Sequence, residues 1–286
     1  MPPLLRAMRP RQWVKNVLVV AAPLAAGTLL QPPTLALTVV AFVAFCSAAS
    51  GIYLVNDVLD LEEDRAHPRK RLRPIASGQV SPRLAVVAGA ILILTPIGLS
   101  LAFGSRELAA VLAVYAGIQL AYCLWLKHVA VVDLAVVSSG FLLRAIAGGA
   151  ATAIVPSPYF LLVASFGSLF MVAGKRYSEV HLVGEGEVAT RRSLGDYSSS
   201  YLRFVWGMAG AVTLVFYSQW AFSLPRTHTL LPQLSIAFFS LSMLRYAVDI
   251  DRGSAGEPES IVLGDRVLQV LGLLWLGIFA LSGVVG

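Results

Sequence analysis

Between Lys15 and Asp57 the chain carries no charged side chain, and at about 20 residues per crossing this is room for two passes through a bilayer. No other feature constrains the fold as much. Apolar backbone of that length hides from water only in lipid, and there it satisfies its own N–H and C=O groups by coiling into helices. Gln31-Pro32-Pro33 breaks the stretch into two spans. Arg83–Arg106 and Glu107–Lys127 bound a third and a fourth. From Lys127 to Lys175 only Asp133 and Arg144 are charged, and Pro156-Ser157-Pro158 divides a fifth span from a sixth. Phe204–Pro225, Thr227–Leu244 and Val267–Gly286 supply the rest. The pattern predicts an all-α integral membrane protein of nine transmembrane helices. Composition agrees: 13% of residues are charged, against about 25% in soluble domains.

Basic residues set the orientation. With a cytoplasmic N-terminus, all of the 22 Lys and Arg except Arg106, Arg226 and Arg144 fall on the cytoplasmic side, a bias that fixes topology in a bacterial plasma membrane. The net charge of +6 is then concentrated on one face, where it attracts anionic lipid or anionic substrate rather than nucleic acid. For most of these residues the topology signal is explanation enough. Arg6, Arg9 and Arg11 before an apolar run are also how a signal peptide starts, but the run is long and more spans follow, so the first helix is expected to be retained. Cys46 and Cys123 lie in apolar stretches without metal or disulfide spacing and read as packing residues. His67 and His181 are auxiliary at most, and a homo-oligomer is compatible with the chain.

The second span runs straight into acid: Tyr53-Leu-Val-Asn56-Asp57-Val-Leu-Asp60-Leu-Glu-Glu-Asp64. At about 100° per residue, Asn56, Asp57, Asp60 and Asp64 fall within roughly a quarter turn, with Tyr53 among them. Like charges crowded this closely are unfavourable unless a cation sits between them. Oxygen-only ligands suit Mg²⁺, which shares its remaining shell with water and a substrate's phosphates. A solvated helix end is the plainer alternative; the helical spacing and the junction with a hydrophobic span favour metal. The loop that follows holds Arg65, His67, Arg69, Lys70, Arg71 and Arg73 before Pro74-Ile75-Ala76-Ser77-Gly78. Cations placed there can hold phosphates that the metal does not neutralise, with Lys70 and Arg73 the leading candidates.

Arg144 stands well inside an apolar helix, at a cost of a few kcal/mol unless it meets an anion or a wet cavity. Asp133 lies about three turns earlier, too far along the helix to pair with it. A carboxylate of another helix or a substrate phosphate is the expected partner, with Lys127 at the helix mouth able to join. At the N-terminus, Arg9-Pro10-Arg11-Gln12-Trp13-Val14-Lys15-Asn16 adds Lys15 to the cationic candidates, with Trp13 as an interface anchor. Glu257-Pro258-Glu259, with Asp265 beyond, reads as a capped helix start.

Two cytoplasmic loops are long, about residues 59–80 and 180–200, and each follows a helix ending in polar residues. Before the second, Lys175, Arg176 and Glu179 share one helix edge. The recurrence four helices on predicts a single domain over 1–286, with helices 1–4 and 5–8 as an internal repeat and helix 9 appended. A cavity open to the cytoplasm and to lipid is expected between the repeats, lined by acid from one and base from the other.

At these residues the chain resembles the UbiA superfamily of intramembrane prenyltransferases. The first family motif, N-D-x-x-D-x-x-x-D, is matched by Asn56, Asp57, Asp60 and Asp64, and Arg73-Pro74-Ile75-Ala76-Ser77-Gly78 matches the stretch that trails it. The second motif, usually D-x-x-x-D, reads Lys175-Arg176-Tyr-Ser-Glu179 here, which disfavours a second Mg²⁺–diphosphate clamp and favours direct phosphate binding. That change, with the Arg9–Asn16 opening, is similar to the branch that transfers phosphoribose to polyprenyl (decaprenyl) phosphate. The resemblance implies phosphoribosyl diphosphate as donor, a polyprenyl phosphate lipid as acceptor, Mg²⁺ as cofactor, and a product used for cell-wall arabinan.

Under that resemblance, Asn56, Asp57, Asp60 and Asp64 hold the metal. Asn56, Asp57 and Asp60 are the catalytic set, Asp57 orienting the donor or steadying charge at ribose carbon 1. Tyr53 contacts the sugar, while Lys15, Lys70, Arg73, Lys127, Arg144, Lys175, Arg176 and Glu179 form the substrate-binding set. An aromatic prenyltransferase using a polyprenyl diphosphate is the nearest alternative. A non-catalytic lipid transporter or flippase is the alternative of another class, disfavoured because alternating access needs polar groups reachable from both sides.

Overall fold

The computed structural model describes residues 1–184, 195–224, 230–253, 255, 261–262 and 264–285. After α1 (Pro3–Ala7) comes a 3₁₀ helix, Pro10–Val20, leading into α2 (Ala21–Ala25). Then follow α3 (Pro32–Leu59), α4 (Leu61–Ala66), α5 (Pro82–Ala102), α6 (Arg106–Leu124), α7 (Val132–Thr152), α8 (Pro158–Gly184), α9 (Ser199–Ser223), α10 (Leu231–Asp251) and α11 (Arg266–Val285). The expected Glu257-Pro258-Glu259 helix start and Arg226 lie outside the described residues.

Among the described residues, six helices are long and apolar enough to cross a membrane: α3, α5, α6, α7, α8 and α10. The other three expected spans take different forms. The first is the 3₁₀ segment with α2. Eleven 3₁₀ residues at about 2.0 Å each and five α residues at about 1.5 Å reach roughly 30 Å, a hydrocarbon thickness. The second, α9, intersperses Arg203, Gln219 and several hydroxyls among its apolar residues. The third, α11, has a described apolar stretch limited to Arg266–Phe279.

The chain divides into two compact units: Met1–Pro23, Thr28–Leu126 and Leu143–Val155 form one, and Leu24–Gly27, Lys127–Leu142 and Pro156–Gly286 the other. In the first, α3 and α5 cross backbone to backbone. A Cβ on Gly51 would stand 2.6 Å from the Gly89 carbonyl oxygen, and one on Gly89 3.1 Å from that of Gly51. Ser47 adds a hydrogen bond to the Leu92 carbonyl across the same contact. Small residues give lipid-embedded helices their close packing, since apolar side chains gain little by leaving lipid for protein. Phe45, Ala48, Ala49, Leu112 and Tyr115 fill the core above it.

The second unit is built around aromatic rings. Phe170 of α8 meets Trp206 of α9 and Tyr246 of α10, and Gly174 leaves α8 open to Ile250. A further group joins Tyr217, Phe239 and Trp275, with the Trp275 indole donating to the Tyr217 hydroxyl at 2.7 Å. Asp265 caps α11, accepting from the N–H groups of Val267 and Leu268 and from Arg245. Burial pushes its carboxyl up, but those donors outweigh it and hold the group below its usual range.

Candidate active site

Asp60 ends α3. Its φ of −91° and ψ of 12° leave the helical region before α4 resumes at Leu61. The single continuous edge expected from spacing is therefore two helices joined at one residue. The i→i+4 links survive the joint, since the Asp60 N–H donates to the Asn56 carbonyl and the Asp64 N–H to that of Asp60, at 2.9 and 2.8 Å. The four polar side chains nevertheless split into two pairs. The Asn56 amide donates to Asp60 at 2.9 Å, both half-buried. Asp57 and Asp64 are buried, and one guanidinium nitrogen of Arg73 reaches both, at 3.2 and 2.6 Å.

The loop 73–80 explains why Arg73 arrives there. Ile75 and Val80 are buried plugs packed with Leu54 of α3 and Ala85 of α5. The Ser77 N–H donates to the Arg73 carbonyl, and Gly78 at φ +79° closes the turn in a conformation open to glycine. An apolar anchor on one side and a tight turn on the other point the Arg73 side chain at the acids.

A second guanidinium joins them, from a residue that spacing along the chain does not single out. Arg9 donates to the same oxygen of Asp57 at 2.5 Å and lies 4.9 Å over the Tyr53 ring. Its backbone is left-handed, φ 55°, unusual for a residue with a side chain. Tyr53, Asp57, Asp64, Arg9 and Arg73 thus form one network, with Asn56 and Asp60 beside it. Among the described residues no group of three His, Cys, Asp or Glu side chains is gathered for a metal. The donors fit Mg²⁺ in kind, since the amide and carboxylates are hard oxygens. Two of the carboxylates, however, are already neutralised by arginine.

Arg144 is buried in a separate cluster of the first unit. It donates to Asn16 at 2.6 Å and Tyr115 at 3.2 Å, and lies over the rings of Tyr115 and Phe45. Asn16 is presented by the 3₁₀ helix, in which every third residue shares a face. Trp13, Asn16 and Val19 point inward while Arg11, Val14 and Val17 are exposed. Trp13 donates to Ser50, and Asn16 to the Cys46 thiol. Gly148 of α7 lets the Val19 carbonyl approach closely. Lys15 consequently falls on the same helix face as Gln12, not on that of Arg11 as an α-helix would place it. Asn16 and Tyr115 were not ranked from sequence; a buried arginine announces that it has partners without naming them.

In the second unit, Arg176 is buried between two carboxylates, Asp133 at 3.1 Å and Glu179 at 2.6 Å. Lys175 stands 3.9 Å from Glu179 and is half-buried. Tyr197 completes the network: its hydroxyl donates to Asp133 and accepts from the Val131 N–H at 2.6 Å. Burial, and then the hydrogen bond to Asp133, push the Tyr197 phenol far above its usual range, so it stays protonated and donating. Val131 itself is left-handed at φ 70°, a strained state for a β-branched residue that such a contact helps to hold. Lys70 and Lys127, both half-buried, lie in short 3₁₀ turns, Lys70–Leu72 and Leu126–His128. His67 caps the first of these turns, its ring accepting from the N–H groups of Arg69 and Lys70.

Comparison with known proteins bears on what these clusters serve. Residues 17–263 match the UbiA prenyltransferase family. A decaprenyl-phosphate phosphoribosyltransferase of Mycolicibacterium smegmatis is 51% identical over 287 residues, covering 96% of this chain and 90% of that protein. One from Mycobacterium tuberculosis is 52% identical over 275 residues, covering 95% and 91%. Among solved structures, a UbiA homolog from Archaeoglobus fulgidus bound to GPP and Mg²⁺ superposes with a TM-score of 0.74. At 14% identity it covers 99% of this chain and all of that one, a likeness of fold.

Proposed function

The chain belongs to the UbiA prenyltransferase family, and from that premise we propose its reaction as follows. It is a decaprenyl-phosphate phosphoribosyltransferase, moving a 5-phosphoribosyl group from phosphoribosyl diphosphate onto the lipid phosphate and releasing pyrophosphate. The near-full-length identity to two such enzymes carries this reading.

The chemistry asks for charge control more than for acids and bases. The bond between ribose carbon 1 and the pyrophosphate oxygen breaks, and one from carbon 1 to a lipid phosphate oxygen forms. That nucleophile is already ionised, so it needs no strong general base. Negative charge grows on the departing pyrophosphate, and electrostatic stabilisation there is the largest expected contribution. Asn56 and Asp60, with Asp57 and Asp64, are the residues that would hold Mg²⁺, which would supply that neutralisation. Arg73 and Lys70 lie on the same loop and would meet phosphate oxygens. Tyr53 would contact the sugar, and the ring it offers to Arg9 keeps that cation beside Asp57. Lys15, Lys127 and Lys175 are further phosphate-binding candidates. We place the N-terminus and this chemistry on the cytoplasmic side, as the distribution of Lys and Arg supports.

The second motif divides its labour. Removing Arg176 leaves Asp133, which is 0% exposed, without its guanidinium. Arg176→Ala should therefore cost about 3–5 kcal/mol of stability, read as an early melting transition in detergent. Lys175→Ala should melt like wild type and raise the half-saturating concentration of one substrate. Equal melting of the two variants would contradict this division.

The test of the reaction is direct. Purified protein is given labelled phosphoribosyl diphosphate with polyprenyl phosphate, and in parallel a prenyl diphosphate with 4-hydroxybenzoate. Label in a lipid product of the first mixture alone is expected. Product only in the second would make the enzyme an aromatic prenyltransferase, and labelled lipid moved across vesicles without a new covalent product would make it a transporter.

A further inference from the structure

We propose that Arg9 and Arg73 are internal counter-ions that stand in for the divalent cation until donor arrives, so that metal and diphosphate bind cooperatively. The inference rests on the reading that the end of α3 takes Mg²⁺, and it concerns what these two side chains do about it.

Asp57 and Asp64 are 2% and 1% exposed. Buried carboxylates stay ionised only beside a positive partner. The chain supplies two: Arg9 at 2.5 Å from Asp57, and Arg73 at 3.2 Å from Asp57 and 2.6 Å from Asp64. Two negative charges meet two positive ones, and the group is neutral as it stands. A divalent cation entering alone gains little from carboxylates already matched, and it is repelled by both guanidinia. A diphosphate entering alone meets the two aspartates. Entering together, the cation takes the carboxylates and the guanidinia turn to phosphate oxygens, for which their planar fork is suited. Both arginine side chains are more than a quarter exposed, 29% and 28%, so each has room to swing. Tyr53 offers Arg9 a ring to lean on during the exchange.

Linkage makes the coupling reciprocal. Equilibrium dialysis of the detergent-purified full chain against Mn²⁺, with and without pyrophosphate, measures it as excess Mn²⁺ on the protein side. Wild type should bind Mn²⁺ at least about fivefold more tightly with pyrophosphate present. Arg73→Gln should bind Mn²⁺ alone more tightly than wild type and lose most of that coupling. Arg9→Gln should do the same more weakly, and it serves in place of Arg73→Gln should that variant not fold. If both variants bind Mn²⁺ alone no better than wild type while wild type binds it normally, the stand-in role is wrong and the metal site survives. If wild type takes up no Mn²⁺ in either condition, the metal site itself is wrong.

Discussion

Asp60→Ala should lower the turnover rate by at least about a hundredfold, the usual scale for losing an electrostatic stabiliser of the transition state, while leaving the protein folded. The second half of that expectation comes from geometry. Asp60 is half-buried, its carboxylate accepts from Asn56 one turn back at 2.9 Å, and its backbone N–H continues the helical ladder whatever side chain it bears. A side-chain pair of this i, i+4 kind is worth only about 0.2–0.5 kcal/mol. Chemistry and stability therefore separate at this residue. At Asp57 they do not. Its removal leaves the Arg9 guanidinium without its carboxylate and halves the contacts of Arg73, so an inactive Asp57→Ala protein says little about catalysis. Initial rates of lipid-product formation, measured beside melting temperature in the same detergent, decide the matter. Wild-type turnover in a well-folded Asp60→Ala protein would remove the catalytic role of this edge.

How much of that was legible in the sequence depends on the kind of contact. Spacing identified Asn56, Asp57, Asp60 and Asp64 as neighbours, because residues a turn apart are neighbours in any helix. It did not show that Asp60 is where the helix breaks, since no proline or glycine stands there. Nor did it show that Asp57 and Asp64 would be claimed by Arg73 and Arg9, the latter 48 residues away. The break of the chain into apolar segments was readable from charge gaps. That the first of them coils as a 3₁₀ helix was not, for Trp13–Val20 is equally apolar on an α or a 3₁₀ template. The choice is made by tertiary contacts, namely Trp13 on Ser50, Asn16 on Arg144 and the Val19 carbonyl on Gly148. In the second motif the sequence showed a lysine, an arginine and a glutamate on one edge. It was silent on Asp133, whose separation of 43 residues from Arg176 leaves no local trace.

Arg144→Leu should change two measurements in opposite directions. Insertion of α7 into the membrane should become easier, because an arginine at a helix centre costs about 2.5–3.5 kcal/mol to insert and a leucine favours it. The folded protein should become less stable. In the fold Arg144 is not facing lipid: it is 6% exposed, donating to Asn16 and Tyr115 and lying against two rings. Leucine leaves the Asn16 and Tyr115 oxygens without that donor, and a buried group left so costs about 1–3 kcal/mol. Folding also no longer rescues a charge from lipid, so the two losses add. A decrease of about 3.5–6.5 kcal/mol is expected, seen as unfolding at a lower detergent-denaturant midpoint. Arg144→Lys should fall between, since an ammonium keeps the charge without the planar fork that serves Asn16, Tyr115 and the rings at once. The partner assignment is tested by pairing Arg144→Leu with Asn16→Ala. Residues in one hydrogen-bonded network show coupling of about 0.5–3 kcal/mol, and these two are 128 positions apart in sequence. Strict additivity, or a leucine variant as stable as wild type, would mean that Arg144 does not hold the 3₁₀ helix in place.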